Sequence, residues 1–115
     1  MIIRQGEVPA EQLGQKPVRV KSLLTRQAHT EALSVTWVKM AGRCCQRMAC
    51  TVSDRVYYLL EGSGEFQVGM DPMESVSCGD LVFIPRGVSY SFSGDMAYLV
   101  MNVPAFVPGS DITVE

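Results

Sequence analysis

Residues 79–90 read Gly79-Asp80-Leu81-Val82-Phe83-Ile84-Pro85-Arg86-Gly87-Val88-Ser89-Tyr90. A Gly-Asp turn opens the stretch, four apolar residues with β-forming side chains follow, and Pro-Arg-Gly closes it. That is a short strand held between two reversals. Working outward, Gly62-Ser63-Gly64, Asp71-Pro72 and Gly94-Asp95 repeat the turn signal at intervals of about eight residues, the beat of a sandwich or barrel. Between them lie Val56-Tyr57-Tyr58-Leu59-Leu60, Phe66-Gln67-Val68, Ser89-Tyr90-Ser91-Phe92-Ser93 and Tyr98-Leu99-Val100-Met101. Segment 89–93 has a clean two-residue period, with serines on one face and aromatics on the other. Upstream, Val18–Leu24 alternates weakly, and Leu33–Met40 is rich in β-branched residues, with Leu33, Val35 and Trp37 on one face.

No window carries a convincing 3.6-residue period, and only residues 10–15 suggest a helical turn. The chain therefore reads as all-β, a closed barrel or a double-sheet jelly roll, since both architectures deal with exposed strand edges. Its 115 residues suit one domain. Residues 1–17, punctuated by Gly6, Pro9, Gly14 and Pro17, read as an N-terminal arm or edge strand, and residues 18–115 as the barrel.

Composition limits the chemistry. At 47% hydrophobic the chain can bury a core, and at 19% charged it is not a solvated tail. A net charge of −2 argues against a nucleic-acid partner. No apolar run approaches a membrane span, and Arg4 and Gly6 interrupt any leader-like segment, so a cytoplasmic location is expected. Without a secretion signal, Cys44, Cys45, Cys50 and Cys78 are expected as free thiols, most of them packing. One histidine, His29, rules out a three-histidine metal site. It falls before the first clear core strand and reads as a surface residue.

Two stretches then resemble the two motifs of the cupin family: residues 42–65, ending Asp54-Arg55-Val56-Tyr57-Tyr58-Leu59-Leu60-Glu61-Gly62-Ser63-Gly64-Glu65, and residues 79–94. The second matches the family frame of glycine, five residues, proline, one residue, glycine. The tail Asn102-Val103-Pro104 also looks like the strand exit of small single-domain cupins. The resemblance, covering about residues 32–108, implies a cupin-type double-stranded β-helix. It also implies a metal held by His-x-His, a glutamate and a further histidine. Carried onto this chain, the glutamate position falls on Arg55 and the last histidine on Tyr90. The His-x-His pair falls on Met48 and Cys50, or on Ala49 and Thr51 if the loop is one residue shorter. A divalent ion beside Arg55 would carry a large electrostatic cost, so no metal or other cofactor is expected.

By the same resemblance these positions face the barrel interior, and alternation adds Tyr57 and Phe92. The expected wall is thus Met48, Cys50, Arg55, Tyr57, Tyr90 and Phe92: apolar and aromatic with a few polar groups, as small-molecule sites are. Met48 and Cys50 are also a soft-sulfur pair suited to Cu(I), but the frame supplies no third soft ligand. Arg55 needs a partner if buried. That partner is either a ligand carboxylate or phosphate, which a guanidinium grips bidentately, or an internal acid such as Glu61 or Glu65. Arg43 and Arg47 read as solvated rim residues. Tyr57 and Tyr90 are the candidate acid–base groups, and a nearby cation would lower a phenol toward base chemistry.

Three functions stay open. The first is a metal-independent barrel binding a small organic molecule, anionic if Arg55 meets it. The second is a metal-free isomerase, epimerase or cyclase using tyrosine acid–base chemistry with Arg55 on an oxyanion. The third is a non-catalytic structural or sensing domain. The resemblance also implies a homodimer.

Overall fold

The computed structural model describes residues 1–13, 17–42 and 46–114. Among these described residues nine strands form one curled sheet: β1 (Glu11–Gln12), β2 (Val18–Leu24), β3 (Ser34–Met40), β4 (Met48–Cys50), β5 (Asp54–Val68), β6 (Glu74–Ser77), β7 (Leu81–Ile84), β8 (Tyr90–Val103) and β9 (Asp111–Thr113). The path runs β1-β2-β3-β8-β4-β9, and β5 joins β8 to β6 and β7. Every ladder is antiparallel. The all-β reading holds. The arm contributes a 3-10 turn at Gln5–Glu7 and, at Glu11–Gln12, a two-residue edge strand paired with β2 rather than the suggested helical turn. Among the described residues no helix is long and apolar enough to cross a membrane.

Strands β5 and β8 organise the molecule. They pair from Asp54↔Val103 to Val68↔Tyr90, so one long ribbon curls through the whole barrel. Gly62-Ser63-Gly64 and Gly94-Asp95, read from sequence as reversals, lie inside these strands. The strands bend there instead of turning back, and the register shifts between Leu59 and Glu61. Glycine is required because the backbones approach closely. A Cβ on Gly62, whose φ is +77°, would lie 2.2 Å from the Asp95 carbonyl oxygen, and one on Gly94 would lie 2.5 Å from Gly64 Cα. The other turn signals, at Asp71-Pro72, Gly79-Asp80 and Pro85-Arg86-Gly87, do separate strands.

Inside the curl, Val18, Val38, Met40, Leu59, Ile84 and Met96 pack with an aromatic cluster of Tyr57, Phe66, Tyr90, Phe92 and Tyr98. Phe92 stacks between Phe66 (4.9 Å) and Tyr90 (6.0 Å). Tyr57 meets Phe66, Tyr90 and Tyr98 edge-on, the geometry aromatic quadrupoles favour. In β3 the inward face is Ser34, Thr36, Val38 and Met40. Val35 and Trp37 lie on the opposite, outer face, where Lys21 Nζ sits 5.2 Å from the Trp37 ring centre.

Candidate functional site

The interior holds a cavity of about 500 Å³. Its walls come from β2 (Ser22, Leu24), the following turn (Thr25, Arg26, Gln27), β3 (Ser34, Thr36), β5 (Arg55, Tyr57) and β8 (Phe92, Tyr98, Val100, Asn102), with Met48, Phe106 and Asp111. The volume falls within the range of small-molecule pockets. Alternation in β5 turns Arg55, Tyr57 and Leu59 inward together, and the β8 register sets Arg55 opposite Asn102.

Of the six wall residues expected from sequence, Met48, Arg55, Tyr57 and Phe92 line this cavity. Tyr90 and Cys50 do not. Tyr90 is 0% exposed and stands behind Arg55 and Tyr57 as a core aromatic. Cys50 is buried with its Sγ 3.7 Å from Ser110 Oγ. Met48 reaches the cavity and Thr51 is exposed, which favours the longer of the two loop registers.

Arg55 is almost fully bonded from within. Its Nε donates to Asn102 Oδ1 (2.6 Å), Nη1 to the Tyr90 hydroxyl (2.8 Å) and Nη2 to Asp111 Oδ1 (2.9 Å). The buried cation is therefore neutralised by Asp111 of β9, not by Glu61 or Glu65, which are exposed. Burial alone would depress its pKa. Tyr90, Tyr57 and Asp111 more than reverse that, so the guanidinium stays charged.

The Tyr90 hydroxyl also lies 2.6 Å from the Tyr57 hydroxyl, and either can be the donor. A continuous chain results: Asp111, Arg55, Tyr90, Tyr57. Burial pushes Tyr57 well above the ordinary phenol value, helped by Tyr90 and Tyr98, with Arg55 pulling the other way. Burial raises Tyr90 too, against Arg55 and the hydrogen bonds from Tyr57 and Arg55. The expected lowering by the cation is thus overcome by desolvation. Both phenols are neutral at physiological pH and suit hydrogen-bond donation or acid chemistry rather than base chemistry.

The thiol of Cys50 is raised by burial, but backbone amides of Val52 and Ser53, the Ser110 hydroxyl and Arg55 together hold it below its usual value. Cys50 and Cys78 are free thiols. Cys78 is exposed in a turn, donating to the Leu60 carbonyl (3.2 Å), and so is not packing. Cys44, Cys45 and Arg43 lie outside the described residues. Arg47 is not a solvated rim residue: half-buried, it bonds Ser89 Oγ (3.0 Å), Gln67 Oε1 and the Gly69 carbonyl (2.7 Å), fastening the end of β5 to the start of β8. His29 is exposed, its Nδ1 accepting the Thr25 amide (3.0 Å) in the turn after β2.

The residues do not fit the metal that the cupin frame implies. Arg55 and Tyr90 occupy two ligand positions, and among the described residues no three His, Cys, Asp or Glu side chains converge. Sequence reasoning missed Asn102, Asp111 and Arg26. Asp111 stands 56 residues beyond Arg55 in the chain, and no local pattern joins them.

No family model and no curated protein sequence matches the chain. Solved structures do resemble it. A tyrosine-to-phenylalanine variant of Streptomyces PAC13 with uridine superposes with a TM-score of 0.82 at 18% identity, covering 100% of this chain and 90% of that one. KdgF from Halomonas sp. gives 0.78 at 17%, covering 90% and 94%. A predicted oxalate decarboxylase from Thermotoga maritima gives 0.76 at 21%, covering 90% and 99%. At such identities the likeness speaks to architecture alone, and on that ground the chain has the cupin fold.

Proposed function

We propose that the protein binds a small polar organic molecule in the barrel cavity, with no metal, held over Phe92 and Tyr57. The observation that carries this reading is a 500 Å³ cavity with an aromatic floor, hydroxyl and amide groups on its walls, and a cation already neutralised by Asp111. Around Arg55 and the aromatic floor, selection then rests on hydrogen bonding and stacking. Streptomyces PAC13 with uridine, a similar barrel, lends support and supplies a first probe. Calorimetric titration with uridine, other nucleosides and small sugars tests the reading. Saturable one-site binding that Tyr57→Phe weakens about 5- to 10-fold, the worth of one lost hydrogen bond, is the expected result. Absence of binding across the whole panel would overturn it.

The Tyr57–Tyr90 pair favours a second reading, acid catalysis. A neutral phenol at the cavity can donate a proton to a leaving oxygen, and its partner phenol, bonded to Arg55, spreads the resulting negative charge. Under this reading Tyr90→Phe keeps affinity and loses turnover.

We further propose that the partner is a second copy of this chain, packed on the outer face of the sheet. Val35, Met101, Val56 and Phe83 form one row across β3, β8, β5 and β7, and Trp37, Leu99, Tyr58 and Leu81 form the next. Leu81 and Phe83 are 61% and 53% exposed. Arg19, Lys21 and Lys39 flank the β2–β3 side, while Glu61 and Asp80 flank the β5–β7 side. A two-fold axis along the strands would lay each basic margin on the other copy's acidic margin. Light scattering on the sized protein should return twice the chain mass; a monomer at micromolar concentration would refute the pairing.

A further inference from the structure

Resting on the cavity-binding reading above, we infer that Arg26, not Arg55, is the residue that meets an anionic group of the ligand, a carboxylate or a phosphate. Both arginines line the same cavity, but their bonding differs. Arg55 spends each of its three nitrogens on an internal acceptor and is countered at 2.9 Å by Asp111. Arg26 has one firm bond, from Nη2 to the Ala105 carbonyl (2.8 Å). Its Nη1 lies 3.8 Å from Glu31, a carboxylate whose side chain is 83% exposed. Its Nε is buried and, among the described residues, has no acceptor.

A buried donor on a charged group is costly to leave unmatched, more so than a neutral one. An exposed carboxylate at 3.8 Å compensates little, because water screens it. The side chain is 26% exposed and sits in the turn after β2, not in a ladder, so a modest rotation about its torsions can present Nε and Nη1 to the cavity. The Ala105 carbonyl meanwhile holds one corner of the plane and limits how far the head can swing. A planar guanidinium with free donors and one fixed corner suits an oxygen anion, which accepts along two of its N–H bonds. The ligand class is then an organic molecule with a polar or aromatic body over Tyr57 and Phe92 and an acidic group toward the β2–β3 turn.

The test compares uridine with uridine 5′-monophosphate, which share base and ribose and differ by one anionic group. Both are titrated against the wild-type protein, Arg26→Gln and Arg26→Lys, with the Arg26 Nε–H resonance followed by NMR in the wild type. The monophosphate should bind at least tenfold more tightly than uridine and shift that resonance. Arg26→Gln should remove the preference, bringing the two affinities within about twofold of each other, and Arg26→Lys should retain part of it. Equal affinities in the wild type, or a preference that survives Arg26→Gln, overturn the inference. If neither nucleoside binds, the cavity reading suffers, and inorganic phosphate and acetate then decide on Arg26 separately. A saturable shift of the Nε–H resonance with either anion supports the subsite, and whichever anion produces it names the group. No shift with both overturns it. Should Arg26→Gln fail to fold, the Arg26→Lys comparison and the wild-type resonance carry the same decision.

Discussion

The same two strands, β5 and β8, present opposite worlds on their two faces. Inward, Arg55, Tyr57, Tyr90 and Asn102 join in a hydrogen-bonded chain that Asp111 completes from β9. Outward, Val56, Tyr58, Leu99 and Met101 make an apolar sheet surface with no charge at its centre. This inverts the usual rule that the polar side of a half-buried sheet faces water. The lesson is that the polar chain around Arg55 is kept inside a small barrel by internal pairing, whereas the apolar outer face is the one for which a partner is proposed.

The contrast is sharpest at Arg55. Arg55→Ala should destabilise the fold by about 3 kcal/mol, because it strands Asn102, Tyr90 and Asp111 without their shared donor. Urea unfolding measures this, and a loss below about 1 kcal/mol would mean that the inner chain is not structural. A smaller effect, about 1 kcal/mol, is expected for Tyr90→Phe, which removes one hydroxyl from between two partners. If its loss matched that of Arg55→Ala, the tyrosine rather than the ion pair would be the centre of the network.

The inner face also has a pH signature. The phenols of Tyr57 and Tyr90 are raised in the folded state, so above about pH 10 the unfolded chain sheds protons that the native state keeps. Stability therefore holds below that pH and falls as pH rises from there toward the folded-state values. Thermal unfolding followed from pH 8 to 11 should show this decline, and Tyr57→Phe should flatten it. A profile unchanged by Tyr57→Phe would place the titration elsewhere. On the outer face the effect on folding is smallest. Phe83→Glu should change monomer stability by less than about 0.5 kcal/mol, as exposed substitutions do, yet halve the mass seen by light scattering. A large loss of stability would make Phe83 part of the core instead.

Much of this molecule is legible in its residues. Turn chemistry at Asp71-Pro72, Gly79-Asp80 and Pro85-Arg86-Gly87 marks real reversals, because proline and glycine set backbone torsions locally. Gly62 and Gly94 look the same in sequence but mean a bend, since their role depends on a strand that passes within a few ångströms. Likewise Val35 and Trp37 announce an apolar face without saying that it is the outer one.

The sequence by itself determined the all-β class and many of the strands, through local torsions and a side-chain period of two, while its likeness to the cupin motifs implied the fold and the inward placement of Arg55. Only the tertiary structure decided what those side chains meet. It paired Arg55 with Asp111, set Tyr90 behind Tyr57, drew Arg47 into a fastening role and left Arg26 underbonded at the cavity. Charge pairing and desolvation act through space, between residues that the chain separates by tens of positions, and no local pattern records them.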